Sequence, residues 1–429
     1  MNAHVPAPGR DAMTPIAGIE AGADAVFERR LALSSPAPIA VAFSGGGDSL
    51  MALRLTKAWA ERHGRGVAAL CVDHGLQAAS ADWTQAAGGA ARRLGAGFLP
   101  LAWTSPKPAT GLPAAAREAR HRLIADAARA MGARVVVFGH TADDLIENAM
   151  MRDEGLRLGT PGEWSPSPVW PEGRGLFILR PLLGARRADI RQALVAAGET
   201  WIDDPANADP RSPRARARPK AAAAAPLMVE DADPVPRELA EAAFVGEDGA
   251  IQLDRRTLAD AAPRAAARLL AVAVTCAGGQ ASPPRGRRLA ALSERLRGDD
   301  AFTATLGGAK VSAGAQIVIV REPGRSGLEQ LRVGAGQCGV WDGRFEVSAG
   351  DRPVVIQALG GRFKALSDKA LRALHAIEAP RRPVLPLLER ADRPPTCPIL
   401  AEASDVCVKP LVPARFWAAC GTILKEAAT

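Results

Sequence analysis

The feature that most constrains this fold lies between residues 39 and 49, where an apolar run meets three consecutive glycines. Residues 39–43 are apolar and follow Pro38, which is typical of a short buried strand. Leu50 and Leu53 then resume at helical spacing. The stretch therefore predicts a strand, a tight glycine turn and a helix in direct succession.

A turn of this kind is suited to holding a polyphosphate. Because the three glycines carry no Cβ atoms, their backbone N–H groups can approach phosphate oxygens, and the helix N-terminus adds partial positive charge. Ser44 and Ser49 can add hydroxyl donors. Asp48 suits the opposite task of holding Mg2+ beside the phosphates.

Two common nucleotide-binding loops do not match this stretch. The sequence contains no Gly-Lys dipeptide, so the lysine-bearing phosphate loop is excluded. The dinucleotide pattern also fails, because Asp48 and Ser49 follow the third glycine. A purely structural tight turn remains an alternative for the glycines taken alone.

Composition indicates a cytoplasmic protein with a polyanionic partner. The 429 residues include 54 Lys plus Arg against 46 Asp plus Glu, a net charge of +8. The six cysteines form no C-x-x-C pair, which favours reduced thiols over a disulfide framework or a zinc ribbon. The first thirty residues carry four acids and no signal-peptide core, and the longest apolar run, 269–277, is too short to cross a membrane.

From residue 39 to about residue 204, short apolar runs alternate with longer amphipathic stretches. Strands are expected at residues 67–72, 98–103 and 135–138, with helices near 79–94 and 114–131. This alternation predicts an α/β fold with a doubly wound parallel sheet. Because ligands bind at the carboxyl ends of such strands, we expect a site at the places where polar residues follow them. Those residues are Ser44, Asp73, His74 and His140.

A second charged cluster begins after the expected strand 135–138. His140, Asp144 and Glu147 follow one another at spacings of four and three, so they can share one face at the start of a helix. Capping of that helix would explain either Asp143 or Asp144, but not both acids together with a histidine and a glutamate. A solvated helix start is the alternative interpretation.

Two groups of arginines complete the set of candidates. Arg117 and Arg120 are three residues apart within an expected helix and could hold phosphate. Further on, Arg214, Arg216 and Arg218 alternate with small residues near several prolines, which predicts an extended or irregular basic strip. A charged linker fits that strip equally well.

Six patterns follow one another in order: Ser-Gly-Gly-Gly-Asp-Ser, Asp-His-Gly-Leu, Ala-Arg-x-x-Arg, Gly-His-x-x-Asp-Asp-x-x-Glu, Arg-Pro-Leu-Leu and Trp-x-x-Asp-Pro-x-Asn-x-Asp. This order resembles the tRNA(Ile)-lysidine synthase family, which belongs to the N-type ATP pyrophosphatases of the PP-loop superfamily. The resemblance covers about residues 38–218. Other members of the superfamily share only the first loop.

The resemblance implies an adenine nucleotide alpha hydrolase-like sheet domain, a helical second domain and a small, mostly β C-terminal domain. We place a leader with a short helix at residues 1–36 and the catalytic domain at residues 37–218. A helical tRNA-binding domain is expected at residues 226–330 and the C-terminal domain at residues 336–429.

The resemblance also suggests roles for individual residues. Catalytic roles are implied for Asp48, Arg117, His140, Asp144 and Glu147. The ATP phosphates would lie on Ser44, Gly45, Gly46, Gly47, Asp48 and Ser49, with Mg2+ on Asp48 and Asp144. Contacts with tRNA are implied for Arg120, Asn207, Arg214, Arg216 and Arg218.

By resemblance, the reaction joins L-lysine to C2 of the cytidine at position 34 of an isoleucine tRNA with anticodon CAU, through an ATP-dependent adenylated intermediate. A tRNA thiolase is one alternative, although the scattered cysteines do not suit its sulfur chemistry. A tRNA-binding protein with an inactive nucleotide fold is another. The sequence leaves a homodimer open.

Overall fold

The computed structural model describes residues 15–156, 158–205, 209, 212–225, 227, 234–284, 286–401 and 405–428. These residues divide into two units. One takes in the described parts of 1–167, 176–233 and 424–429, and the other takes in those of 168–175 and 234–423. The sequence-based domain boundaries remain predictions.

The first unit alternates strands and helices from its start. Its helices are α1 (Pro15–Arg30), α2 (Gly47–Arg62), α3 (Ser80–Arg93), α4 (Leu112–Ala130), α5 (Ala142–Asp153), α6 (Arg187–Ala196) and α7 (Pro213–Ala223). Its strands are β1 (Ile39–Ala42), β2 (Val67–Asp73), β3 (Gly97–Ala102), β4 (Val135–Phe138), β5 (Trp164–Pro166) and β6 (Phe177–Leu179).

The strands of the first unit form one sheet in the order β3-β2-β1-β4-β6-β5. The first five pair in parallel, with Val41 beside Ala69 on one side and Val137 on the other. Strand β5 pairs antiparallel with β6 at the edge, which the sequence patterns did not indicate. The prediction of a doubly wound α/β fold is confirmed, with this one antiparallel strand added.

Strands β1 and β4 lie at the centre because their side chains are almost entirely apolar and buried, as a strand covered on both faces requires. Helices α1, α2 and α6 pack together beside β1, with Phe27, Trp59 and Ile190 fully buried among them. The chain reverses its direction across the sheet between β3 and β4, so a right-handed connection puts α4 on the opposite face. The order reverses between β1 and β4, where ligands of such sheets bind.

The arginine-rich segment after residue 212 differs from the expected extended strip, because residues 213–223 form helix α7. Pro213 is the first residue of the helix, where its fixed φ is favourable. Pro219 lies inside the helix, a position that costs stability in an isolated helix. Packing of α7 against α5, with Ala217 and Ala221 buried, overrides that local preference.

The second unit combines helices with small antiparallel sheets. Its helices are α8 (Arg237–Glu241), α9 (Arg255–Asp260), α10 (Pro263–Ala277), α11 (Arg287–Arg297), α12 (Asp368–His375) and α13 (Val412–Cys420). Its strands are β7 (Ala243–Val245), β8 (Ile251–Asp254), β9 (Phe302–Leu306), β10 (Ala309–Ala313), β11 (Gln316–Arg321), β12 (Leu331–Val333), β13 (Cys338–Trp341), β14 (Phe345–Ala349), β15 (Val354–Ala358), β16 (Pro386–Arg390), β17 (Arg393–Thr396) and β18 (Val406–Pro410).

The region expected to be helical also contains a five-stranded antiparallel sheet in the order β7-β8-β11-β10-β9. Residues 243–245 pair with β8 as an antiparallel strand. Helix α10 buries Leu270 and Val274 in the same apolar core as β11, and α13 adds Phe416 to that core. The remaining strands form a four-stranded and a three-stranded sheet, which agrees with the mostly β prediction for the C-terminal region.

Among the described residues, no helix is both long enough and apolar enough to cross a membrane.

Candidate active site

The candidate site is a cleft of roughly 520 Å3 outside the carboxyl ends of β1, β2 and β4. It lies at the place where the strand order reverses. The polar residues expected to follow these strands, Ser44, Asp73, His74 and His140, all line it. The parallel topology therefore brings together side chains that lie far apart in the sequence.

The glycine loop forms the floor of the cleft and runs into the N-terminus of α2. The Ser49 hydroxyl donates to the Gly46 carbonyl at 2.8 Å, and Ser44 Oγ lies 3.2 Å from Ser49 Oγ. These bonds hold both hydroxyls at the loop. The partial positive charge of the helix N-terminus and the serine hydroxyls thus face the same space, which suits phosphate binding.

Two glycines are required by the close packing of the loop. Gly45 has a φ of 81°, and a Cβ there would lie 2.5 Å from the Ile202 side chain. Its carbonyl accepts a hydrogen bond from the Ile202 N–H. A Cβ on Gly139 would lie 2.6 Å from the Asp48 carbonyl oxygen. Glycine at both positions lets the loops after β1 and β4 approach each other.

Three carboxylates of the candidate site converge on one arginine, Arg187. Its Nε donates to Asp48 Oδ2 at 3.0 Å and its Nη1 donates to Glu147 Oε1 at 2.8 Å. Its Nη2 lies 3.5 Å from Asp144 Oδ2. Although burial lowers the pKa of Arg187, the carboxylates of Asp144 and Asp48 raise it above its usual value. The guanidinium therefore carries a full positive charge among the three acids.

Burial also affects the carboxylates in this cluster. It raises the pKa of Asp48 and of Glu147, and the charge of Arg187 opposes both shifts. Loss of that positive charge would leave both groups easier to protonate. Arg187 is thus the main partner that keeps them ionised.

The two adjacent acids after β4 have different structural tasks. Asp144 Oδ2 accepts from the backbone N–H and the hydroxyl of Thr141, which closes a capping box at the start of α5. Asp143 Oδ2 accepts from the Arg187 backbone N–H at 2.7 Å, and Asp143 Oδ1 pairs with Arg186. Asp143 therefore holds the start of α6 and with it Arg187, a role that the sequence did not reveal.

Glu147 is a fully buried carboxylate that faces several arginines. Besides Arg187, Arg214 Nε lies 3.3 Å from Oε2 and Arg218 Nε lies 3.6 Å from Oε1. Arg214 also donates to the Asn148 side chain at 2.8 Å. Arg216, by contrast, is exposed. The helical form of α7 separates the three arginines, because residues four apart share a face and the residue between them does not.

His140 is held by Arg180, which directly follows the adjacent strand β6. Arg180 Nε donates to His140 Nδ1 at 3.0 Å, so the ring proton of the neutral imidazole lies on Nε2. Arg180 itself is buried and also donates to the Gly162 carbonyl and the Ser165 hydroxyl. Burial lowers the pKa of His140 to about 3, and the Arg180 charge acts in the same direction. His140 is therefore a neutral hydrogen-bond donor.

Helix α4 contributes positive charge to the same region. Arg120 lines the cleft, whereas Arg117 is exposed and lies outside the cleft lining. Burial lowers the pKa of Arg120 to about 10, with Arg117 and Arg214 acting in the same direction. The buried Nε of Arg120 has no hydrogen-bond partner among the described residues. Arg120 is thus a partly desolvated cation at the cleft, a setting that favours an anionic ligand.

Most of the predicted site residues come together, but not all of them line the cleft. Those that do are Ser44, Gly46, Gly47, Asp48, Ser49, Arg120, His140, Asp144, Arg214 and Arg218. Gly45 lies in the glycine loop beneath the cleft. Glu147 lies behind the lining residues, and its carboxylate pairs with the Arg187 guanidinium. Asn207 lies outside the described residues.

Sequence reasoning missed two arginines of the site, Arg180 and Arg187. Arg180 directly follows β6, and Arg187 is the first residue of α6 a few residues later. The Arg-Pro-Leu-Leu pattern marked the region, but β6 is only three residues long and was not recognised as a strand. With that strand assigned, the rule that sites lie at carboxyl ends would have pointed to both side chains.

Comparison with known proteins matches a PP-loop domain to residues 22–224. The tRNA(Ile)-lysidine synthase of Caulobacter vibrioides is 48% identical over 414 residues, which cover 94% of this chain and 98% of that protein. The enzyme of the same name from Hyphomonas neptunium is 36% identical over 69% of this chain and 83% of its own length. That from Rhizobium meliloti is 34% identical over 79% and 80%. The similarity thus extends through both units.

Proposed function

Because this chain belongs to the tRNA(Ile)-lysidine synthase family, we propose that it ligates L-lysine to C2 of the cytidine at position 34 of a tRNA(Ile) with anticodon CAU. ATP is the co-substrate, and AMP and pyrophosphate are the products. The observation that carries the proposal is the 48% identity over 94% of the chain to a protein of that name, combined with an intact phosphate loop.

The cytosine O2 is a poor leaving group and must first be activated. The cytosine O2 attacks the α-phosphorus of ATP, pyrophosphate departs, and O2 then belongs to an adenylate. The loop from Ser44 to Ser49 would hold the departing phosphates through backbone N–H groups and hydroxyls. Arg120 is placed at the cleft to balance negative charge as it develops.

His140 would act in this step as a donor and not as a base. Its Nδ1 accepts from Arg180, so Nε2 carries a proton. A neutral imidazole with Nε2–H can donate to a phosphate oxygen or to the cytosine without a change of charge. We assign His140 to orienting the α-phosphate or the adenylated base.

The second step joins the lysine. Its ε-amine, once deprotonated, adds to C2 of the cytosine, and AMP leaves with the former O2. The carboxylates of Asp144 and Glu147 are the candidates for anchoring the ammonium or accepting its proton. Their surroundings support this assignment, because an organic cation, the Arg187 guanidinium, already interacts with both of them.

Mg2+ is expected to accompany ATP. Mg2+ commonly binds through one or two carboxylates together with substrate phosphates, and Asp48 and Asp144 suit this pattern beside the phosphate loop. The described residues hold no group of three or more His, Cys, Asp or Glu side chains placed to bind a metal by themselves. The carboxylates nevertheless converge on the positive charge of Arg187, so the donor set fits a cation. When bound, Mg2+ would neutralise charge on the phosphates.

The thiolase alternative lacks a suitable thiol at the described cleft. Cys71 lines the cleft, but burial raises the pKa of its thiol to about 11, which disfavours the nucleophilic thiolate. Cys338 and Cys407, the exposed described cysteines, lie in the second unit. A ligase that uses an amine nucleophile needs no such group.

The proposal is tested by mixing the purified protein with Mg-ATP, labelled L-lysine and an in vitro transcribed tRNA(Ile) with anticodon CAU. We expect label in the RNA at position 34 and release of AMP and pyrophosphate. A transcript with uridine at position 34 and the Asp48→Asn variant serve as controls and should incorporate no label. Release of pyrophosphate without incorporation of lysine would refute the choice of nucleophile, and no ATP turnover would favour a binding protein.

A tRNA substrate supports a cytoplasmic location for the proposed activity. The excess of positive charge over the chain agrees with a tRNA partner, because phosphate contacts dominate affinity for nucleic acids. Formation of a homodimer remains a separate prediction, which the mass of the purified protein in solution would test.

A further inference from the structure

Arg187 lies where a divalent cation would be expected. Its guanidinium contacts Asp48 through Nε at 3.0 Å, Glu147 through Nη1 at 2.8 Å and Asp144 through Nη2 at 3.5 Å. Asp48 and Asp144 are the two residues proposed to hold Mg2+. One side chain of the protein thus neutralises the acids that the proposed reaction needs for another cation.

We propose that Arg187 is a resident counter-ion that competes with the divalent cation, so that the metal enters together with ATP and displaces the guanidinium from Asp48 and Asp144. The inference rests on the proposed cation site, but not on the identity of the nucleophile or of the RNA. It assigns to Arg187 a positioning role that neither the sequence patterns nor the relatives' names supply.

The first argument is electrostatic. The side chains of Asp48, Asp144 and Glu147 are 25%, 10% and 0% exposed, and carboxylates so far removed from water need a nearby positive charge in the absence of ligand. Arg187 supplies that charge. Arg214 pairs with Asp144 and Glu147, and Arg218 pairs with Glu147. Among the described ion pairs, Asp48 is matched by Arg187.

The second argument concerns how the guanidinium is held. The backbone of Arg187 is fixed, because its N–H donates to Asp143 at the start of α6. Its side chain is largely buried but lines the cleft, so the guanidinium can rotate into the cleft without movement of the helix. A rotated guanidinium would meet the phosphates of bound ATP, to which its planar fork can bind through two hydrogen bonds.

This arrangement predicts a dependence of metal binding on nucleotide. Metal ions alone must break the pairs between Arg187 and the acids, whereas Mg-ATP brings phosphate oxygens that take over the guanidinium as the metal takes over the carboxylates. Wild-type protein should therefore bind a divalent ion weakly without nucleotide, and removal of the guanidinium should strengthen that binding.

The test measures binding of Mn2+, without nucleotide or RNA, from the loss of the electron paramagnetic resonance signal of the free ion. Arg187→Gln should bind Mn2+ about tenfold more tightly than the wild type, because the ion no longer competes with a bound cation. A purely structural role of Arg187 would have the opposite effect, since a disordered carboxylate cluster binds metal less well.

Arg191→Gln is the matched control. Arg191 lies on the same helix and also lines the cleft, but its guanidinium pairs with Asp203, and it acts on Asp48 only through space. Its loss removes the same charge, so a gain of no more than about twofold is expected there. Equal gains in both variants would reduce the effect to general electrostatics and overturn the proposal, as would an unchanged or weaker affinity of Arg187→Gln.

A second measurement uses the wild type and does not depend on a stable variant. The Arg187 Nε–H resonance, assigned by its absence from a spectrum of Arg187→Lys, should be protected from solvent exchange while it donates to Asp48. Addition of Mg2+ with a non-hydrolysable ATP analogue should move the resonance and remove the protection. A resonance that binding leaves unchanged would overturn the proposal, whereas failure of lysine incorporation into tRNA would leave it intact.

Discussion

At the scale of single residues, the site depends on which partner each titratable group has. His140 and His121 flank the Phe138 ring and both stack on it, at centroid distances of 5.7 and 5.3 Å. Burial lowers the pKa of each histidine to about 3. They differ in their hydrogen bonds, because Arg180 donates to His140 whereas His121 Nε2 has no partner among the described residues. One histidine thus has a defined tautomer and the other does not.

The defined tautomer of His140 gives a first prediction. Nitrogen NMR of the histidine ring should show a neutral His140 with its proton on Nε2, since the Arg180 guanidinium can only donate. The Arg180→Met variant lacks the hydrogen-bond donor that fixes the His140 tautomer. We therefore expect a mixture of both tautomers and at least a tenfold loss in the rate of pyrophosphate release. Arg180→Lys keeps a donor and should restore part of both. A pure Nε2–H signal in Arg180→Met would contradict the role given to Arg180.

His121 gives a prediction about pH and stability. Its pKa is about 3 in the folded protein and near 6.5 when unfolded, so the unfolded state binds more protons between these values and stability falls as pH decreases below about 6.5. His121→Phe keeps a ring on Phe138 but removes this proton. Between pH 7 and pH 5 the wild type should lose about 2 kcal/mol more than the variant. Urea unfolding at both pH values measures this difference, and parallel losses would show that His121 does not contribute.

At the scale of elements, helix α7 shows how a change of secondary structure alters a functional interpretation. An extended strip would have presented Arg214, Arg216 and Arg218 on the same side. The helix instead turns the first and last towards Glu147 and leaves Arg216 exposed. Arg214 and Arg218 then interact electrostatically with the candidate active site, whereas Arg216 is exposed on another face of the helix.

This division predicts different phenotypes for the arginines of α7. Arg216→Ala should weaken tRNA binding, and it should reduce the slope of log affinity against log salt concentration by about one. Arg214→Ala should lower pyrophosphate release more than it lowers tRNA affinity, because it weakens the charge that balances Glu147. Filter binding at several salt concentrations and single-turnover assays separate the two effects. Identical behaviour of both variants would favour the original interpretation as one basic strip.

At the scale of the whole molecule, residues near the end of the chain are part of the first unit. Glu426 is buried and pairs with Arg65, which donates to both carboxylate oxygens at 2.7 and 2.9 Å. The Glu426 N–H donates to the Arg30 carbonyl, and the Ala32 N–H donates to Glu426. Within the first unit, this segment near the end of the chain therefore packs against residues 30–32 and 65.

Loss of this contact should destabilise the sheet domain. Glu426→Ala leaves the buried Arg65 guanidinium without its carboxylate, which is expected to cost about 3–5 kcal/mol. Lys425→Ala changes an exposed neighbour and serves as the control. Hydrogen exchange of β1 amides, read at peptide resolution, should accelerate in the first variant and remain unchanged in the second. Unchanged exchange in Glu426→Ala would show that the segment is not required.

Local sequence patterns were sufficient to predict much of the fold of the first unit and part of the candidate site. The apolar run before three glycines determined β1, the glycine loop and α2, and the order of six motifs indicated the family. Strand alternation, glycine conformation and motif spacing are properties of neighbouring residues. Chains of alternating strands and helices have few permitted topologies, so the doubly wound sheet and the position of Ser44 and His140 in one cleft followed as well.

Tertiary structure decided the features that depend on contacts between distant segments. Arg187 faces Asp48, Asp144 and Glu147 from the start of α6, which a hydrogen bond to Asp143 holds, and residues 213–223 are helical because they pack on α5. The Arg180 contact with His140 and the Arg65 pair with Glu426 likewise join residues 40 and 361 positions apart. Long-range ion pairs depend on the geometry of the folded chain, and neither hydrophobic periodicity nor local propensity encodes them.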